Sequence, residues 1–249
     1  MSPEQDYVIV IPARYDSQRL PGKVLIEIGG KTMLQHVWER ARESAAAEVI
    51  VATDDERILS ACESFGAAAV MTDQAHRSGS DRIAQVARQQ GWDDSRIVVN
   101  LQGDEPMMPA ACLDQVATLA GRFPAADAAT LYCPLDDLQQ ANDPNIVKVV
   151  TDAQGRALLF SRSPIPYYRG GHWPAAAGWK RHIGLYAYRA GSLKQFAASP
   201  ASHLESAESL EQLRYLENGG SIVLEPACLP IPPGVDTKDD LDKLSDFLT

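Results

Sequence analysis

The chain has 249 residues, 45% hydrophobic and 22% charged, which is long enough to bury a core without disulfide or metal staples. Its 23 Lys and Arg stand against 33 Asp and Glu, a formal charge of −10, and this argues against a general nucleic-acid binder, which needs a basic face to displace counterions. The four cysteines, Cys62, Cys112, Cys133 and Cys228, form no CxxC or Cys/His cluster, which argues against a zinc site and for free thiols in a reducing compartment such as the cytoplasm.

Residues 7–11 (YVIVI) are a short β-branched run without polar alternation, which predicts a strand buried on both faces. A polar loop follows, from Pro12 to Gly22. Over 32–44, Met33, Leu34, Val37, Trp38 and Ala41 share one helical face. Residues 48–52 read as a second strand, 55–65 as a helix stopped by Gly66, and 67–71 as a short third strand. A helix over 81–90 stops at Gly91. Residues 96–102 are a strong strand, followed by a QGDEP turn and a helix over about 109–122. This alternation predicts an α/β fold of Rossmann-like kind, with a mostly parallel central sheet and helices on both faces. Ligands of such sheets sit at the carboxyl ends of the strands, so the loops after Ile11 and Leu101 share one crevice.

From about residue 126 the rhythm changes. Residues 128–133, 146–152, 157–160 and 182–188 read as strands joined by turns. They predict an inserted, more antiparallel layer, about 126–190, within a single domain over 1–249. One helix over about 205–218, a strand over 221–225 and a terminal helix from Thr237 complete the order. The N-terminus has no basic leader with an apolar core, and no apolar run approaches the ~20 residues needed to span a bilayer.

Several stretches carry chemistry. The loop IPARYDSQRLPGKVL (11–25) gathers Arg14, Arg19 and Lys23 with Ser17 and Gly22, a set that suits a polyanion such as triphosphate. It is neither GxxxxGK[ST] nor GxGxxG. Composition alone fits a solvated basic loop equally well, and exposed charges of that kind contribute little to folding. HRSGSDR (76–82) reads locally as a helix N-cap through Ser78 or Ser80. In NLQGDEPMMP (100–109), Asp104 and Glu105 follow a buried strand, either as an acidic capping turn or as a ligand for a hard cation such as Mg²⁺. In PPGVDTKDDL (232–241), Asp236 reads locally as a helix N-cap. In RHIGLYAYR (181–189), alternation puts His182, Gly184, Tyr186 and Tyr188 on one face, where a lone His is more often a packed residue than a reacting one. FSRSPIPY (160–167) carries Arg162, a natural partner for a carboxylate, with Arg156, Arg169 and Arg181 near it in sequence. LESAESLEQLR (204–214) puts Glu211 and Gln212 on the predicted helix as a polar pair.

These stretches, in this order and over almost the full length, resemble the signatures of the CMP-Kdo synthetases, where Kdo is 3-deoxy-manno-octulosonate: IPARYxSxRLPGK, HxSGT[DE]R, NxQGDEPxxP, HxGxYxY and GVDTxxDL. Ser80 stands where the family usually has Thr, and the hydroxyl survives. Sialic acid cytidylyltransferases usually carry Gly-Ser-Lys where this chain has Tyr15, Asp16 and Ser17. The resemblance implies a nucleotidyltransferase fold, a homodimer through the antiparallel layer, and transfer of CMP from CTP to Kdo for lipopolysaccharide synthesis, with Mg²⁺. It implies Arg14, Arg19 and Lys23 at the triphosphate, Ala13 near the cytosine, and Ser78 and Gly79 beside the base. It further implies Asp104 and Asp236 as metal ligands, with Gln102 near nucleotide and sugar. Arg162, His182, Tyr186, Glu211 and Gln212 then contact the sugar. The rival substrates are sialic acid, methylerythritol phosphate and an 8-amino Kdo. A metal-dependent glycosyltransferase would need DxD after a central strand, and the only DxD is Asp240-Leu241-Asp242. A nucleotide sensor without catalysis should lack a metal carboxylate or the cationic loop.

Overall fold

The computed structural model describes residues 6–16, 20–76, 78–135, 137–169, 178–232, 234, 235, 237, 240–242 and 244. Strand β1 (Tyr7–Ala13) shows why the first half folds as it does. Its side chains alternate between two cores: Tyr7, Ile9 and Ile11 point into one, Val8 and Val10 into the other, and all five are buried. A strand apolar on both faces is stable only between two layers of helix. After a 3-10 turn (Lys23–Leu25) and a small ribbon of β2 (Glu27–Ile28) and β3 (Lys31–Thr32), helix α1 (Met33–Arg42) starts on a Thr32 cap. Strand β4 (Glu48–Thr53), helix α2 (Glu56–Phe65) and strand β5 (Ala68–Met71) follow. Gly66 ends α2 in the left-handed conformation, as its place in the sequence predicts. Helix α3 (Gly79–Gln89), strand β6 (Ile97–Asn100) and helix α4 (Ala110–Arg122) complete this half.

The second half comprises β7 (Ala128–Leu135), α5 (Leu138–Asn142), β8 (Lys148–Thr151), β9 (Ala157–Ser161) and β10 (Trp179–Arg189). Helices α6 (Ala190–Ala198), α7 (His203–Glu208) and α8 (Leu213–Glu217) precede β11 (Ile222–Pro226). The main sheet runs β11-β7-β10-β6-β1-β4-β5, with β8 joined to β10 and β9 to β8. Strands β6, β1, β4 and β5 are mutually parallel, and β10 enters antiparallel between β6 and β7. The antiparallel part is therefore continuous with the central sheet: the upper half of β10 pairs with β6, and its lower half reaches the β8–β9 hairpin. Buried side chains of α1, α2 and α4 cover one face, and those of α3, α6 and α8 the other. Among the described residues, no helix is long and apolar enough to cross a membrane.

The single helix predicted over 205–218 is broken. Helix α7 ends at Ser209, whose φ of 51 is the one positive value at a non-glycine among the described residues. The break is held from both sides. Ser202 and Glu205 form a reciprocal capping box, and Glu205 accepts two bonds from Arg214 at 2.5 and 2.7 Å. Residues 209–212 are thereby freed from a helix and turned toward the sheet. Nothing in the pattern of 190–198 announces α6, which follows β10 without a turn.

Candidate active site

The chain runs from β1 outward to β4 and β5, then returns to place β6 on the other side of β1. That reversal opens a crevice at the carboxyl ends of β1 and β6. Two glycines let the loops there touch. A Cβ on Gly103 would lie 3.1 Å from the Pro12 carbonyl oxygen, and at Gly22, whose φ is +70, a Cβ would be crowded to 3.1 Å from the Tyr15 ring. Arg57 covers that ring from outside, its guanidinium carbon 3.2 Å from the centroid.

Lys23 is the first departure from expectation. It is buried rather than an exposed loop charge, and its Nζ donates to Asp104 Oδ2 at 2.5 Å and to the Val235 carbonyl at 3.1 Å. A buried ammonium needs such partners. Arg14 Nη2 donates to the His76 carbonyl at 2.6 Å, tying the first motif to the second. Ala13 is buried in the core beneath. Ser78 accepts from Asp81 N and caps α3, as the local pattern reads, while Gly79 lies against Pro12 and Gln102. Fully buried Arg82 pairs with Asp54 at 2.6 Å and also bonds Thr72. Burial lowers its basicity and Asp54 raises it. The sequence gives no sign of this pair, because Asp54 stands after β4, outside the motifs.

Val235 N donates to the Asp104 carbonyl at 2.9 Å, so the closing motif lies against the QGDEP turn. Asp236 and Arg19 lie outside the described residues.

A cleft of about 960 Å³ opens beside these loops, with Gly79, Gln102, Asp104, His182, Tyr186, Glu211 and Gln212 on its wall. Ala13, Arg14, Lys23 and Ser78 are not on that wall. Ser78 and His76 line a neighbouring cavity that shares Ser209, Leu210 and Glu211 with the cleft. Glu211 and Gln212 reach the cleft because they belong to the turn between α7 and α8 and not to a helix.

Arg162 lies away from the cleft wall. Its guanidinium donates to the carbonyls of Glu208, Pro144 and Ser209, at 2.7, 2.7 and 3.4 Å. With its donors committed to backbone, it braces the turn that carries Glu211. Arg181 takes the cleft position, with Nη2 donating to the Ile231 carbonyl at 2.8 Å. Asn100, which accepts from Gln102 Nε2 at 3.2 Å, also lines the cleft; an Asn ending an otherwise apolar buried strand is the signal that could have found it.

The β10 side of the cleft is an aromatic stack. His182, Tyr186 and Tyr188 follow at 5.3 and 5.5 Å between ring centroids, and Phe160 meets His182 edge-on at 4.9 Å. Enclosure there depresses the His182 imidazole to about 3, through burial. The Thr130 hydroxyl has the Leu185 and Ile183 carbonyls at 2.7 and 2.9 Å to donate to, so His182 Nε2, 3.2 Å away, is the donor to Thr130 Oγ1. Burial raises the Tyr186 phenol well above its ordinary range, with Tyr188 and Glu211 adding to it. Burial also raises Glu211, while the Ser80 and Ser78 hydroxyls pull it down. The Tyr186 hydroxyl and Gln212 Nε2 are buried without a hydrogen-bond partner among the described residues. Buried polar atoms are rarely left so, and both face a cleft able to hold a polar ligand.

The His182 environment gives a pH prediction. The unfolded imidazole takes a proton near 6.5, the folded one only near 3, so the unfolded state binds more protons between these values. Stability contributed at this site is present above pH 6.5 and lost as pH falls through that window. Imidazole NMR should find His182 neutral at pH 5. Titration of its ring above pH 5.5 would contradict the described enclosure.

The arrangement is chemically two-ended: Asp104, paired with Lys23 behind the wall, stands at one end, and a polar, largely uncharged pocket with Arg181 at the other. Comparison with known proteins gives the family. The family model described as cytidylyltransferase matches residues 8–222. A 3-deoxy-manno-octulosonate cytidylyltransferase of Pseudomonas syringae pv. tomato is 50% identical over 97% of this chain and 98% of its own. The protein of that name from Xanthomonas axonopodis pv. citri is 53% identical over 95% and 93%. A solved structure described as CMP:2-keto-3-deoxy-manno-octonic acid synthetase complexed with CTP superposes with a TM-score of 0.90, at 43% identity over 98% of both chains. With the family match running from the first strand of the sheet to the start of the last, the chain belongs to the cytidylyltransferase family.

Proposed function

We propose that the chain transfers CMP from CTP to the anomeric hydroxyl of Kdo, giving CMP-Kdo and pyrophosphate, as the names of its relatives say of them. The observation that carries this reading is the two-ended cleft, whose wall holds the Asp104 carboxylate, paired behind it with buried Lys23, and two unsatisfied buried polar groups, Tyr186 and Gln212. Arg14, Arg19 and Lys23 hold the triphosphate, with Ala13, Ser78 and Gly79 at the base. Gln102 lies between nucleotide and sugar. Tyr186 and Gln212 donate to sugar hydroxyls, His182 offers a neutral imidazole, and Glu211 accepts. Arg181, in place of Arg162, holds the sugar carboxylate. The sugar hydroxyl attacks the α-phosphorus directly, so no covalent enzyme intermediate is needed, and positioning supplies much of the acceleration.

Mg²⁺ suits these residues. Among the described residues there is no group of three His, Cys, Asp or Glu able to cage a metal. A cation that keeps waters and takes substrate phosphates needs only one or two carboxylates. Asp104 is a half-buried carboxylate on the cleft wall, and we assign it and Asp236 as the ligands. When bound, Mg²⁺ neutralises charge that grows on the phosphates in the transition state.

We further infer a cytoplasmic enzyme that feeds lipopolysaccharide synthesis, in keeping with its free thiols. We infer a homodimer through the antiparallel part, where Leu158 and Leu159 of β9 are exposed. The activity test is pyrophosphate release from CTP and Mg²⁺ on adding Kdo. Release that needs CTP, Kdo and enzyme together is the expected result, and none with Kdo would overturn the reading.

A further inference from the structure

Two thiols outside the cleft stand 3.7 Å apart, Cys112 fully buried on α4 and Cys228 exposed just past β11. The chain around Cys228 is held mainly by α4. Gln115 Nε2 donates to the Pro226 carbonyl at 2.8 Å, and Gln115 Oε1 accepts from Cys228 N at 2.9 Å. The same segment then supplies Ile231, whose carbonyl accepts from Arg181, and Val235, whose carbonyl accepts from Lys23. The thiol pair is thus anchored to the helix on one side and to the wall of the cleft on the other.

We propose that Cys112 and Cys228 form a reversible disulfide that clamps the segment after β11 to α4 and slows turnover. A disulfide requires the sulfurs to close to about 2.05 Å, and rotation of the exposed Cys228 side chain can supply that approach. The oxidant is a low-molecular-weight disulfide such as glutathione disulfide. The Cys228 thiolate attacks one of its sulfurs, the oxidant's S–S bond breaks, and one glutathione thiolate leaves. Cys112, losing its proton to water, then attacks the Cys228 sulfur and expels the second glutathione. Two protein thiols have lost two electrons and two protons, and the oxidant has gained both. Cys228 is the accessible thiol and Cys112 the resolving one, the pairing expected of a redox-responsive site in a reducing compartment.

The test is incubation of the native full chain with glutathione disulfide, followed by non-reducing peptide mass mapping, thermal melting and rate measurement. The expected product is an intramolecular Cys112–Cys228 crosslink. It closes a long loop, so the melting temperature should rise by on the order of 5 °C. Turnover should fall several-fold and return with dithiothreitol. Cys228→Ser should abolish crosslink and inhibition while keeping basal turnover, and Cys133→Ser should change neither. If Cys112→Ser folds poorly, Cys228→Ser keeps the test decisive. A glutathione adduct that stays on Cys228, or a crosslink through Cys133, overturns the pairing. A crosslinked enzyme of unchanged turnover overturns the clamp. Mapping and melting do not depend on the assigned reaction, so failure here is distinguishable from failure of that reading.

Discussion

Replacing Asp104 by Asn is expected to leave the chain folded and to lower turnover by on the order of 10²-fold or more, because charge stabilisation is usually the largest catalytic term. The substitution keeps the side chain's shape and one oxygen within reach of Lys23 Nζ, now 2.5 Å from Oδ2. It also leaves untouched the backbone carbonyl that accepts from Val235. Asp236→Asn should behave alike if both carboxylates serve one cation. Initial rates across a Mg²⁺ series, with a melting curve for each variant, check both. Near-normal turnover of either variant at limiting Mg²⁺ would remove that residue from the ligand set. Lys23→Ala should differ by losing stability as well as rate, since it strips the half-buried Asp104 carboxylate of its cation partner.

The second large effect concerns the sugar. A neutral hexose should be used roughly 10⁴-fold less well than Kdo, because a site built to bond a polar group rejects an analogue that lacks it. The group responsible separates two arginines. Arg181→Ala should depress turnover with Kdo while leaving the melting temperature nearly unchanged. Arg162→Ala should do the reverse first, because its donors brace the carbonyls of residues 144, 208 and 209. A competition among Kdo, its 8-amino analogue, sialic acid and a hexose, each with CTP, decides the rest. Efficient use of the hexose would sink the carboxylate requirement. Preference for the 8-amino sugar would change the substrate and keep the mechanism.

The first half of the fold was legible because its signals are local. The unbroken apolar run of β1, Gly66 after α2 and Pro109 before α4 each act within a few residues. The broken helix was not legible, because Ser209 adopts its backbone in response to contacts that Glu205 and Arg214 make across the gap. The substrate-side arginines could not be told apart in sequence for a related reason. Arg162 and Arg181 carry the same charge in motifs of similar composition, and only the carbonyls that surround each side chain separate brace from cleft wall. Composition left Lys23 open between a solvated charge and a phosphate contact, and its burial with Asp104 depends on a stretch 81 residues away. The unsatisfied Tyr186 and Gln212 atoms needed coordinates, since an orphaned donor is defined by what is not near it.

The place of β10 between β6 and β7 has a consequence for biosynthesis. Strand β6 is made by residue 100, and its parallel partner β1 is already present, but the strand that closes its other side begins at Trp179. At roughly 5–20 residues per second, a ribosome needs about 4–16 s to translate the stretch between them. During that interval the nascent half-sheet presents the unpaired backbone of Ile97–Asn100, four residues buried in the finished protein. Such an edge invites pairing with another chain. Yield at high expression should therefore be limited by the time the growing chain waits for β10 rather than by the stability of the finished molecule.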